Sequence, residues 1–221
     1  MRIRILYDNM IRDLEKAWGF SCLVEINEGS ILFDAGGNPN ILEANMYDRD
    51  IRAEDIGIVF LSHEHWDHVG GLSLILGKNP GLRVYAPRSF TEELKSTVRE
   101  KAELIEVSEP FPIMEEVLTT GELGDRIKEQ SLIAGNLLIT GCAHPGIVEI
   151  VRRAKELNPN LDTVMGGFHL MKNNEREVWD IISQIKVLGV RYALPRHCSG
   201  FLATELFELK FRKESPYEIL G

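Results

Sequence analysis

Three imidazoles and a carboxylate fall within the six residues His63-Glu64-His65-Trp66-Asp67-His68. Neutral imidazole and carboxylate are ligands of hydrolytic divalent metals, so the first chemistry this chain offers is metal binding. The cluster follows directly on residues 56–61, a short β-branched apolar run that reads as a buried strand. It therefore lies at a strand exit, where functional side chains are usually held. His63 and His65 share one side of an extended backbone. Asp67 and His68 come after the chain turns, and Gly70-Gly71 lets it turn tightly and approach a neighbour closely. Such a loop can present two imidazoles to one cation and a carboxylate plus an imidazole to a second. An H-E-x-x-H helix is excluded, because Asp67 stands where its second histidine would be.

The other three histidines share one context. His144, His169 and His197 each lie just after a predicted strand and beside glycine, in Thr140-Gly-Cys142-Ala-His144-Pro-Gly146, Met165-Gly-Gly-Phe-His169 and Pro195-Arg-His197-Cys198-Ser-Gly200. Strand exits on one edge would bring them together with the 63–68 loop in a single site. Asp34 ends another strand, and its carboxylate can accept hydrogen bonds from the loop backbone or from a ligand imidazole and fix its orientation. Cys142 is either a thiolate donor or a small buried residue at a tight turn. Cys198 reads as packing and Cys22 as core.

The elements that must position these residues follow from periodicity. Strands are expected at 2–7, 20–27, 30–34, 56–61, 82–86, 104–107, 115–120, 130–134, 136–140, 161–165 and 190–194. Helices are expected at 39–46, 69–76, 147–157, 175–188 and 200–208, and from the Ser89-Phe-Thr-Glu92 capping-box spacing to about residue 100. Residues 13–18 read as a partly helical connector. Hairpins turn at Glu28-Gly29 and Gly135-Asn136, and the punctuated stretch 110–125 connects two similar halves, 1–109 and 110–221, of a single domain. In each half strands come first, then strands alternate with helices, so each is a sheet covered by helices on its outer face.

The motif His63-Glu-His65-Trp-Asp67-His68 matches the H-x-H-x-D-H motif of the metallo-β-lactamase-fold superfamily. The upstream Ile31-Leu-Phe-Asp34-Ala-Gly36-Gly37 resembles that superfamily's first motif. The resemblance implies an α/β fold, a four-layer αβ/βα sandwich of two mixed β-sheets, with one or two divalent metals at one edge: zinc first, with manganese, iron or magnesium as alternatives. It implies His63, His65 and a third group around one metal, and Asp67, His68 and His197 around the other. The superfamily's bridging Asp follows a later strand as Gly-Asp, where this chain has Gly141-Cys142. Either His144 completes the first site while Cys142 replaces the bridge or stays uncoordinated, or the second site is weak. His169 is then surplus, able to bind a substrate anion or shuttle a proton. Asp67 can also orient the attacking water. The implied activity is metal-assisted hydrolysis of an ester, thioester, lactam or phosphoester.

Asp8-Asn9, Gly141-Cys-Ala-His144-Pro-Gly146, Gly166-Gly-Phe-His169-Leu and His197-Cys-Ser-Gly resemble the branch that contains dihydropterin-dependent synthases of methanopterin biosynthesis. That makes a transferase, joining a pterin-methyl diphosphate to an arylamine ribotide, the alternative. A metal-binding regulator without turnover is a further one. The flavin-dependent di-iron branch is disfavoured, because its motif resembles H-x-E-x-D where this chain has His65.

At 221 residues, 44% apolar and 27% charged, the composition is that of a soluble globular protein. A net charge of −9 and a pI near 5.2 argue against nucleic acid as a partner. No run approaches a membrane span, and the first residues are too short and alternating for a signal peptide. Three cysteines, an odd number, point to a reducing cytoplasm rather than a disulfide framework. The expected partner is a small molecule, phosphorylated or pterin-like.

Overall fold

Alternating β-branched residues at the start of the chain build a mixed sheet onto which later strands are added. The computed structural model describes residues 1–11, 13–27, 29–211 and 215–220. It divides into two compact units, Met1–Ser108 with Tyr217–Gly221, and Glu109–Pro216.

In the first unit, β1 (Arg2–Asp8), β2 (Phe20–Ile26) and β3 (Gly29–Phe33) pair antiparallel. Next, β4 (Ile58–Phe60), β5 (Arg83–Pro87) and β6 (Glu103–Val107) add in parallel beside β3. Parallel neighbours need crossovers. These are supplied by α1 (Pro39–Asp48), by α2 (Trp66–Val69) with α3 (Leu72–Lys78), and by α4 (Glu92–Arg99). Pro39 opens α1 behind an Asn38 cap that accepts from the Asn40 amide. Leu32, Val59 and Val84 from the strands pack against Leu42, Leu72 and Ile75 from the helices.

The second unit repeats the plan. The strands β7 (Pro112–Met114), β8 (Val117–Thr119), β9 (Leu132–Ala134) and β10 (Leu137–Thr140) form an antiparallel ladder. Beyond β10, β11 (Thr163–Gly167) and β12 (Tyr192–Arg196) add in parallel. The helices are α5 (Ile147–Leu157), α6 (Glu175–Val187) and α7 (Phe201–Lys210). A capping box between Asn174 and Glu177 starts α6, and its Val178, Ile182 and Ile185 face the core with Ile150, Val164 and Phe207. Each unit is thus a mixed sheet with helices, an α/β architecture in which the strand ends carry the chemistry.

Several expectations shift. Residues 13–18 are bends and irregular chain, not helix, and Glu28 of the first hairpin turn lies outside the described residues. The capping box expected at Ser89 does not form: α4 is capped two residues later by Thr91, whose hydroxyl accepts from the Leu94 amide while its own amide donates to Glu64. The helix expected at 69–76 is two, because Gly70-Gly71 breaks it, and α3 runs through Gly77. The connecting stretch 110–125 contains the β7–β8 hairpin. The last strand, β13 (Glu218–Leu220), was not expected; it pairs in parallel with β1, Arg2 opposite Glu218, and belongs to the first unit. Its partner is nearly the whole chain away, which local pattern does not reveal.

Candidate metal centre

In the first unit the site grows from the neighbouring ends of β3 and β4. Phe33 stands opposite Phe60, so Asp34 and Ser62 leave the sheet side by side. Asp34 takes a left-handed backbone (φ 53°) and is fully buried. Its Oδ1 accepts from the Ser62 amide (2.7 Å), and its Oδ2 accepts from the Ser62 hydroxyl (2.7 Å) and contacts His68 Nδ1 (2.7 Å). The Ser62 hydroxyl also lies 2.9 Å from His63 Nδ1. With Nδ1 engaged in both rings, Nε2 is the ring atom each could offer to a metal. His63 Nε2 stands 3.1 Å from His65 Nδ1, close to the separation of about 3.3 Å that two nitrogens have on one tetrahedral ion. Asp67 Oδ2 is 3.8 Å from His68 Nε2. His65 keeps extended backbone and α2 begins at the next residue, which places Asp67 and His68 on the helix's first turn. The loop sits against bare backbone: a Cβ at Gly71 would collide with the Ala35 carbonyl, and one at Gly70 with the Gly37 carbonyl.

In the second unit the donors follow the three parallel strands. Cys142 and His144 come after β10, His169 after β11, and His197 with Cys198 directly after β12. The turn at Gly141–His144 is wrapped around one buried carboxylate, Glu129. Its Oε1 accepts the amides of Gly141 (3.1 Å), Cys142 (2.8 Å) and Ala143 (2.9 Å), and its Oε2 accepts the His144 amide (3.0 Å). The same Oε2 contacts His144 Nδ1 at 3.0 Å, so Glu129 does for His144 what Asp34 does for His68. Sequence reasoning missed Glu129. The only signal was a charged residue just before the strand expected at 130–134, and such residues are mostly exposed.

Cys142, His144 and His169 have one donor atom each within 4.8 Å of one another, and so do Cys142, His197 and Cys198. The His144 and His169 rings are 4.7 Å apart. Hydrogen bonding from Cys142, and then from His169, draws the Cys198 thiol down to about 5 against the opposing effect of burial. The same Cys198 contact holds the His169 imidazolium above its usual range. Cys198 is buried, as its reading as packing expects, and the turn after β12 also brings its sulfur near the other donors. Ala143, His169 and His197 all have positive φ (56°, 56° and 50°). Left-handed backbone costs a non-glycine residue about 1–2 kcal/mol, and such strain gathers where surroundings hold a functional geometry.

Each unit therefore holds a set of imidazoles with an acid, or imidazoles with thiols, backed by a buried carboxylate. Nitrogen, sulfur and carboxylate donors at these separations fit zinc or a similar divalent ion.

The family model of the metallo-beta-lactamase superfamily matches residues 19–151. The chain belongs to the metallo-beta-lactamase superfamily. An uncharacterized protein of Methanocaldococcus jannaschii is 32% identical, over 94% of each chain. The 7,8-dihydropterin-6-methyl-4-(beta-D-ribofuranosyl)-aminobenzene-5'-phosphate synthase of the same organism is 26% identical, over 89% of this chain and 85% of its own. Among solved structures, a metal-dependent hydrolase of the beta-lactamase superfamily superposes with a TM-score of 0.79 and 26% identity, covering 100% of this chain and 95% of the other. The two mixed sheets are thus those of the metallo-beta-lactamase fold. No helix among the described residues is long and apolar enough to cross a membrane.

Proposed function

We propose that this protein is a metal-dependent hydrolase with a mono- or dinuclear divalent centre, zinc first, ligated by His63, His65, Asp67, His68, His144 and His197. One observation carries the reading: a buried carboxylate engages the Nδ1 of a site histidine twice over, Asp34 on His68 (2.7 Å) and Glu129 on His144 (3.0 Å). Carboxylate–histidine pairs of this kind fix the tautomer, present Nε2 and raise its basicity. When bound, the metal supplies Lewis acidity, acidifying water and polarising a carbonyl or phosphoryl oxygen. The chain's own residues do the rest. Asp67 orients the attacking water by accepting its hydrogen bond, and His169 donates a proton to the departing group or holds a substrate anion. Asp34 and Glu129 keep the imidazoles aimed throughout.

Elemental analysis of the purified protein, with a phosphodiester and ester panel in added Zn²⁺ or Mn²⁺, tests the proposal. Bound metal and turnover that is lost in His65→Ala are expected. Protein that binds no divalent ion overturns it.

A second reading rests on the 26% identity to the dihydropterin synthase. It makes the protein a transferase that joins a pterin-methyl diphosphate to an arylamine ribotide; a metal held by the same residues would supply positive charge for the departing diphosphate. Dihydropterin binding, with turnover only when both co-substrates are present, favours it over hydrolysis; ester hydrolysis without pterin binding eliminates it.

A further inference from the structure

We infer that Cys142 and Cys198 form a paired thiolate donor set for the metal that His197 holds, making this a sulfur-ligated, soft-metal site. The inference rests on the metal-centre reading above and adds ligands to it.

The topology brings the two cysteines together across one strand. β10, β11 and β12 lie side by side, so the turns carrying Cys142 and Cys198 flank the end of β11. What stands there is Gly167. A Cβ at that position would lie 2.2 Å from the Gly141 carbonyl, 2.7 Å from Cys198 Sγ and 3.2 Å from Cys142 Cα, so the bare glycine lets both the Gly141 backbone and the thiol approach. Cys198 Sγ reaches the Cys142 carbonyl at 3.7 Å. Donor atoms of Cys142, His197 and Cys198 lie within 4.8 Å of one another. Two thiolates on a tetrahedral zinc are about 3.8 Å apart, so small side-chain adjustments close the set. The left-handed backbone at His197 (φ 50°) sets the turn that carries both its imidazole and the next residue's sulfur. Both cysteines are buried. A pair of thiols placed among imidazoles at these separations is a ligand arrangement.

On binding, a sulfur lone pair of each thiolate forms the bond to the metal, and a thiol still protonated first releases its proton to solvent. Thiolate donors favour zinc, cobalt or cadmium and disfavour magnesium and manganese. The site is thereby assigned a metal class as well as ligands.

Titration of the reduced, metal-free protein with Co²⁺ and Cd²⁺ tests this directly. Sulfur-to-metal charge-transfer absorption is expected in the wild type, weakened in Cys142→Ser and in Cys198→Ser and unchanged in Cys22→Ala. A measurement that needs no variant accompanies it: bound Cd²⁺ should protect both Cys142 and Cys198 from alkylation, as read by peptide mass. Metal binding with no charge-transfer band and no protection overturns the inference and leaves the nitrogen–carboxylate centre standing. Protection of Cys142 alone overturns the pairing. Absence of any metal binding overturns both.

Discussion

Glu129 is the residue whose replacement tests the site's construction most sharply. Its side chain is fully buried and accepts four backbone amides, from Gly141 to His144, as well as contacting the His144 imidazole. Glu129→Ala strips all five of their acceptor. Each unsatisfied buried donor costs about 1–3 kcal/mol, offset by water entering the vacated space and by relief of the carboxylate's own desolvation. Removing one partner from a buried charged network leaves a net loss of about 3–5 kcal/mol, a large share of the roughly 5–15 kcal/mol that folded proteins have. Urea unfolding of the metal-free protein measures it without interference from ligands.

Glu129→Gln separates support from chemistry. Its amide oxygen can still accept the Gly141, Cys142 and Ala143 amides, but its NH₂ now faces His144 Nδ1 and donates to it. The imidazole proton moves to Nε2, the atom proposed as the ligand. Stability should therefore fall less than in the alanine variant. Metal affinity should drop about 10–100-fold, the usual loss when such a supporting partner is changed. Chelator competition reads the affinity, and ¹⁵N shifts of His144 in the metal-free protein read the tautomer. An alanine variant within about 1 kcal/mol of wild type, or a glutamine variant with unchanged tautomer and affinity, refutes the reasoning.

Two further outcomes follow from the same geometry. Asp34→Ala removes the acceptor for the Ser62 amide and hydroxyl and frees the His68 ring to rotate; metal affinity should again fall about 10–100-fold, measured by competition against a chromogenic chelator. Gly166→Ala places a Cβ onto the Thr140 carbonyl in a backbone at φ 118°. Overpacking of about 1–3 kcal/mol with left-handed strain of about 1–2 kcal/mol should lower the melting temperature by several degrees, visible by circular dichroism.

Much of the fold is legible from pattern because its elements are locally specified. The helix Ile147–Leu157 stands where its spacing places it, and α6 departs by a single residue at its end. The histidine-rich loop is legible for the same reason, its donors lying within six consecutive residues. Punctuation proved weaker: Ser89 and Thr91 both have capping chemistry, and packing of Thr91 against Glu64 selects between them.

Residue order alone specified the donor types, the strands they follow and the glycines that let the backbone close around them. Only the tertiary structure decided that Glu129 supports His144, that Cys198 meets Cys142 beside Gly167, and that Glu218–Leu220 returns to pair with β1. The physical reason is range. Periodicity and caps act within a turn or two of chain, whereas a carboxylate's partners and a strand's neighbours are selected by which surfaces can be buried together.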